Sequence, residues 1–125
     1  MKTIGYWATT SVLAIAFAAS GAANLTRSPG ATGGMAHLGY PVYLTTILGA
    51  WQLLAVAAVL FPGFPLLKEW AYAGMFFDLT GAAASHLMAG DRASRVLAPL
   101  ALLALVIASW AQRPDSRLLL GASPP

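Results

Sequence analysis

The chain has 125 residues, of which 58% are hydrophobic and only 9% are charged, and its mean hydropathy is +0.70. A soluble domain carries about one charged residue in four, so this composition excludes a soluble fold with a polar surface. The chain has no cysteine, which excludes disulfides, thiol redox chemistry, c-type haem attachment and cysteine-ligated metal centres. The net charge of +3 comes from Lys and Arg residues that are scattered singly, so we predict no binding to nucleic acid.

Four apolar stretches of the chain have the length of membrane-spanning helices. A span needs about 20 apolar residues, so four spans use roughly two thirds of the chain and leave only short loops. We therefore predict an all-α fold, an integral membrane four-helix bundle with up-down topology. It forms one domain over residues 1–113, and residues 114–125 form a disordered polar tail. The predicted spans cover residues 4–25, 41–61, 68–89 and 96–112.

The first apolar stretch has two interpretations. Lys2, followed by an apolar run and the small-residue segment AFAASGAAN, is also typical of a cleaved signal peptide. However, the apolar run is longer than the roughly 7–15 residues of a signal-peptide core. Ala16, Ser20 and Asn24 also recur every four residues, which is the pattern of a small face for close helix packing. These features favour a retained span.

Polar and glycine-rich segments separate the predicted spans. Residues 26–39 are predicted to form a loop with a short interfacial turn around Met35–Leu38. The connector FPGFP, at residues 61–65, breaks a helix on both sides. The second and third spans are therefore expected to be antiparallel neighbours.

The basic residues give a small preference for the orientation of the chain in the membrane. Four Lys and Arg residues are expected on the side of the two termini, and three on the opposite side. Basic residues favour the cytoplasmic side, so this count predicts cytoplasmic termini. The first group is Lys2, Lys68, Arg113 and Arg117, and the second is Arg27, Arg92 and Arg95.

Asp78 lies near the middle of the third predicted span, where a charged side chain costs about 2.5–3.5 kcal/mol on insertion scales. We expect Asp78 to face the bundle interior and to be protonated, hydrogen-bonded or both. Counting from a turn at Gly63 places Gln52 level with Gly74, one helical turn from Asp78. A contact between Gln52 and Asp78 is therefore predicted, because an amide and a carboxylic acid can exchange two hydrogen bonds. The pair is either an interhelical clamp or part of a ligand or proton site.

His86 follows Asp78 by eight residues, about 12 Å along a helix, so the two side chains do not touch. The predicted topology instead brings His86 and other polar residues together at one membrane face. We predict a pocket that opens there, with His37 and His86 near its mouth and Asp78 and Gln52 at its floor. The candidate ligand-binding residues are Asp78, His86, Gln52, His37, Trp51, Tyr72 and Asn24.

No catalytic residue and no metal ligand are predicted. The two histidines and Asp91 have no spacing typical of metal ligands. Motifs for catalytic nucleophiles, phosphate-binding loops and dinucleotide-binding folds are absent from the sequence. An autonomous enzyme is therefore not expected.

A series of short segments, in order along the chain, resembles the DoxX-like family of small bacterial membrane proteins. A series in order is far more specific than any one segment, and the similarity reaches to about residue 113. The segments are YWATT (6–10), SGAANL (20–25), HLGYP (37–41), PGFPLLKEWAYAG (62–74), FD (77–78), GAAASH (81–86) and GD (90–91).

The resemblance implies a four-span helical bundle in the lipid bilayer of a bacterial inner membrane. The family takes its name from a subunit of an archaeal thiosulfate:quinone oxidoreductase, and some relatives are linked to membrane redox complexes. Most members have no assigned activity. The resemblance leads us to expect lysines at positions 24 and 52 in many relatives, whereas this chain has Asn24 and Gln52, which favours a neutral contact between Gln52 and Asp78.

Three functional hypotheses follow. The protein binds a hydrophobic or quinone-like molecule, or it is the membrane subunit of a redox complex, with quinone as the candidate cofactor and a redox subunit as its partner. Alternatively, it is a structural or partner-binding membrane protein, such as a homo-oligomer, whose polar residues only hold helices together. A small proton-coupled transporter is the third hypothesis, disfavoured because four short spans show no evident repeat.

Overall fold

The computed structural model describes residues 2–114. Within this range the chain is entirely helical and has no strand, so the predicted all-α class is confirmed. The predicted polar tail lies outside the described residues from residue 115 onward. The helices are α1 (Lys2–Leu25), α2 (Pro29–Leu38), α3 (Tyr43–Leu60), α4 (Pro65–Met88) and α5 (Ala93–Ala111).

Three of these helices have the length and hydropathy of a membrane span. They are α1 from Thr3 onward, α3 and α5. Helix α4 is as long as α1, with 24 residues, but it is not among the candidate spans, and it carries Lys68, Glu69, Asp78 and His86. The chain is therefore a membrane protein with three candidate spans and a fourth long helix that is more polar.

The four long helices share one apolar core. Helix α1 packs against α3 and α5, and α4 packs against the same two helices. This arrangement places α3 and α4 side by side, with α1 next to α3 and α5 next to both α1 and α4. The core residues come from all four helices and are Leu13, Phe17, Val59, Ala71, Tyr72, Met75, Leu79 and Val106.

Helices α1 and α3 approach each other very closely at Gly49. A Cβ atom at this position would lie 2.5 Å from the backbone nitrogen of Leu25 and 2.7 Å from the carbonyl oxygen of Gly21. Only a glycine allows the two backbones to pass at this separation. On α1 the crossing is formed by Gly21 and Leu25, and it brings the neighbouring Asn24 within hydrogen-bond distance of Gln52.

Helix α2 occupies ten residues of a segment predicted to be a loop with a short turn. The hydroxyl of Ser28 accepts a hydrogen bond from the backbone N–H of Ala31 at 3.3 Å, and Pro29 occupies the first turn. Gly39, with a φ of 84°, ends the helix. These are ordinary start and stop signals of a helix, although the glycine-rich interior favoured a loop.

Lys68 folds back over the end of α3 and does not point toward lipid headgroups. Its side chain is 1% exposed, and Nζ donates to the carbonyls of Ala58 at 2.9 Å and Gly63 at 2.6 Å, and also to that of Phe61. The last carbonyls of a helix lack N–H partners and carry the negative end of its dipole. The buried ammonium group thus stabilises the short turn that joins α3 to α4.

Candidate functional site

A groove between α3 and α4 has a volume of about 870 Å³, larger than a second cavity of about 400 Å³ beside Trp110 in the described part of the chain. It opens on the outer surface of the helices, where Trp51 is 68% exposed and Trp70 is 64% exposed. Its walls are almost entirely apolar. The aromatic side chains that line it are Phe17, Trp51, Phe61, Phe64, Trp70 and Phe77.

Two polar side chains, Gln52 and Asp78, line this groove. Gln52 Nε2 donates a hydrogen bond to Asp78 Oδ2 at 3.3 Å. The contact expected from the short α3–α4 turn is therefore present, with one hydrogen bond instead of two. Because Asp78 lies ten residues before the end of α4 at Met88, it is about 15 Å from that end of the helix.

Helix α1 fixes the orientation of Gln52. Gln52 Oε1 accepts a hydrogen bond from Asn24 Nδ2 at 2.8 Å, and Gln52 Nε2 donates to Ser20 Oγ at 3.2 Å. With the bond to Asp78, these contacts use both amide protons and the amide oxygen of Gln52. Asn24 itself is buried, with 8% exposure. A hydrogen-bonded chain therefore runs from α1 through Gln52 to Asp78 in the groove.

His37, His86 and Asp91 form a separate cluster where α2 and α4 end. His37 Nε2 lies 2.6 Å from Asp91 Oδ1, and His86 Nδ1 lies 2.6 Å from Asp91 Oδ2. Hydrogen bonds from His86 and then from His37 hold the pKa of the Asp91 carboxyl below its ordinary value. Among residues 2–114, no group of three His, Asp or Glu side chains is arranged to hold a metal ion.

The histidine cluster holds the α2 segment against α4. A second hydrogen bond supports it, between the Tyr40 hydroxyl and Ser85 Oγ at 2.6 Å. The sequence predicted that His37, His86 and Asp91 gather at one membrane face, but it did not predict the role of Tyr40. Neither histidine lines the groove. The acid–amide pair and the histidines thus belong to two different places in the structure.

Tyr72 lies in the core and does not line the groove. Its hydroxyl is 2.7 Å from Ser109 Oγ, which is 2.6 Å from Thr10 Oγ1. All three side chains are buried, and hydroxyl groups that both donate and accept can satisfy one another. This chain of hydroxyls links α4, α5 and α1. These residues are single polar positions in three apolar stretches, so the sequence does not predict that their hydroxyls form hydrogen bonds with one another.

Comparison with known proteins gives one match. The model of the DoxX-like family matches residues 8–109, a range that contains all the predicted site residues and both polar clusters. No curated protein matches the chain, and no solved structure matches it.

Proposed function

Because the chain belongs to the DoxX-like family, we propose that it is a four-span protein of the bacterial inner membrane that binds a quinone-like molecule between α3 and α4. The observation that carries the proposal is the groove. Its volume of about 870 Å³ lies within the roughly 300–1,000 Å³ of small-molecule sites. Such sites combine apolar walls with a few polar groups, and here those groups are Gln52 and Asp78.

Helix α4 is the fourth span in this proposal. Its 24 residues extend about 36 Å, which exceeds the hydrocarbon thickness of about 30 Å. The polar residues that lower its hydropathy have partners inside the protein. Lys68 donates to the carbonyls of Ala58 in α3 and Gly63 in the connector. Glu69 pairs with Arg113, and Asp78 accepts a hydrogen bond from Gln52. Four spans place both termini on one side, which we propose is the cytoplasm.

The opening of the groove supports access from the bilayer. Its exposed tryptophans lie on the outer surface of two helices, which in a membrane faces lipid. A quinone dissolved in the hydrocarbon core would therefore reach the groove by lateral diffusion. In this role the protein supplies a quinone site to a redox partner subunit and does not itself carry a catalytic residue.

A structural or partner-binding role is the second candidate function. The observation that favours it is the internal hydrogen bonding of Asn24 and Gln52, which clamps α1 to α3 without any ligand. In this case Gln52 and Asp78 hold helices together and the groove is filled by lipid.

The tryptophans of the chain make a specific binding test available. Trp51 and Trp70 line the groove, whereas Trp7 and Trp110 do not. A variant with Trp7→Phe and Trp110→Phe keeps only the groove pair, and a variant with Trp51→Phe and Trp70→Phe keeps only the other pair. Each variant is purified in lipid nanodiscs and titrated with a benzoquinone that carries a ten-carbon tail.

Saturable quenching of fluorescence is expected in the variant that keeps the groove tryptophans. The other variant should show only the weak, non-saturating quenching of a quinone dissolved in the bilayer. Trp110 lines the second cavity of about 400 Å³, so saturable quenching confined to the second variant would place the quinone there. Equal, linear quenching in both variants would contradict the proposal and favour the structural role.

A further inference from the structure

The polar residues of the groove are confined to one level along its length. On α4, Asp78 is the last residue that lines the groove, and the other lining residues of this helix all precede it, on the side of the connector. Gln52 precedes Phe61 by nine residues, and Leu67 precedes Asp78 by eleven, so the apolar part extends about 14–17 Å from the polar pair. On α3, Ile47, Leu48 and Trp51 also line the groove beyond Gln52, over about 7 Å. The groove therefore has one polar level, with a short apolar part on one side and a long apolar part toward the connector.

Among the described residues that line the groove, Asp78 supplies a carboxyl oxygen that has no hydrogen-bond partner. The amide of Gln52 is fully used by Asn24, Ser20 and Asp78. Asp78 Oδ2 accepts from Gln52, and within residues 2–114 no group forms a hydrogen bond with Asp78 Oδ1. In the hydrocarbon core there is no water to take that place, and an unsatisfied polar group is costly there.

We infer that the groove takes an amphiphile whose carbonyl or hydroxyl end hydrogen-bonds Asp78 Oδ1 and whose apolar chain extends toward the α3–α4 connector. This inference rests on the proposed function and adds the orientation of the ligand and the group that selects it. A carboxyl oxygen accepts from a hydroxyl and, when protonated, donates to a carbonyl. The oxidised and reduced forms of a quinone head both meet this requirement, whereas a lipid acyl chain alone does not.

The polar pair of Gln52 and Asp78 selects which molecule binds in the groove. Lipid tails are as apolar as the groove walls, so the apolar tail of a ligand gains little free energy when it moves from the bilayer into the groove. The hydrogen bond to Asp78 has no equivalent in the hydrocarbon core. Binding in nanodiscs should therefore depend strongly on residue 78 and only slightly on the length of the tail.

Substitutions at Asp78 test the selecting group. In the variant that keeps only Trp51 and Trp70, Asp78→Leu is expected to weaken quinone binding about tenfold, the equivalent of one lost hydrogen bond. Asp78→Asn retains a donor and an acceptor and should restore most of the affinity. Thr80→Val is the matched control on the same helix, because Thr80 bonds only to carbonyls of its own helix and does not line the groove. Size-exclusion chromatography of each nanodisc sample shows whether the variant is folded and monodisperse.

The outcomes distinguish a failure of the inference about Asp78 from a failure of the proposed function. Saturable quenching that is unchanged by Asp78→Leu would overturn the inference and leave the proposed groove site in place. Loss of binding in Thr80→Val as well as in Asp78→Leu would also overturn it, since the effect would not be specific to the carboxyl. The absence of saturable quenching in the unsubstituted groove would overturn both the inference and the proposed function.

Photo-crosslinking tests the orientation independently of affinity. Two benzoquinones with a ten-carbon tail are used, one with a diazirine next to the ring and one with a diazirine at the tail end. After irradiation in nanodiscs and proteolysis, mass spectrometry should place the tail-end label within residues 61–67 and the ring label near Gln52 or Asp78. The reverse pattern, or the same pattern for both probes, would overturn the inferred orientation.

Discussion

Gly49→Ala is expected to weaken the packing of α1 against α3. The new Cβ would lie 2.5 Å from the nitrogen of Leu25 and 2.7 Å from the oxygen of Gly21, and neither backbone atom can move unless a helix shifts. Overpacking of this kind costs about 1–3 kcal/mol. Replacing glycine by alanine within a helix returns about 1 kcal/mol. Contacts this short belong at the upper end of the cost, so we expect a net loss of about 2 kcal/mol.

Gly81→Ala is the matched control for this substitution. A Cβ atom at Gly81 meets nothing within 4 Å, so this variant should be as stable as the parent or more stable by up to about 1 kcal/mol. The free energy of unfolding is measured in mixed detergent micelles by titration with a denaturing detergent, followed by circular dichroism. Equal stability of the two variants would refute the close crossing at Gly49. It would also remove the geometric basis for the contact between Asn24 and Gln52.

Two further predictions concern the polar contacts away from the groove. The hydrogen bonds that lower the pKa of Asp91 stabilise the folded state above the ordinary carboxyl value of about 4, and this contribution is lost as the pH falls through the lower folded-state pKa. Unfolding measured from about pH 5 down to about pH 2, a range that extends below the ordinary carboxyl value, should show this acid-side loss, and Asp91→Asn should remove it; an unchanged profile would contradict the role of the cluster. Ser109→Ala leaves the buried hydroxyls of Thr10 and Tyr72 without their shared partner, so a loss of about 1–3 kcal/mol is expected. A loss no larger than that in Thr80→Val, at a partly exposed position, would show that these hydroxyls contribute little.

The sequence predicts the helical class and the family because both depend on local patterns. Long apolar runs require helices in a membrane, since every backbone group must be satisfied within its own segment. The contact between Gln52 and Asp78 was also predictable, because a short turn at Gly63 fixes which residues of α3 and α4 lie at the same level. The four-span topology, the cytoplasmic termini and the ligand stay predictions.

The sequence does not predict the faces on which side chains meet. The expected pocket joined His37 and His86 to Asp78, but neither histidine lines the groove, which on α4 extends from Asp78 toward the connector. The position of the groove depends on the distance between α3 and α4 where Phe17 of α1 lines it. That distance is set by side-chain packing and does not follow from the local sequence. Tyr72 was expected in the pocket for a similar reason. Its rotation about α4 turns it toward Ser109 in the core.

Lys68 and α2 show a different limit of sequence interpretation. A lysine after a helix-breaking connector is typical of a membrane interface, yet this lysine binds the carbonyls that end α3. Whether the lysine faces the headgroups or binds these carbonyls depends on the distance between them, and that distance is set by the conformation of the connector. In α2, Ser28 and Pro29 are a typical helix start, but the glycines that follow favoured the prediction of a loop.

The most direct test of the account is a crystal structure of the protein grown with a benzoquinone that carries a bromine atom on its ring. Anomalous scattering locates the bromine without reference to any model of the ligand. A single peak is expected beside Asp78 and Gln52, with the density of the tail directed toward Phe61. A peak in the smaller cavity at Trp110, or a groove occupied by lipid while the bromine lies elsewhere, would contradict it.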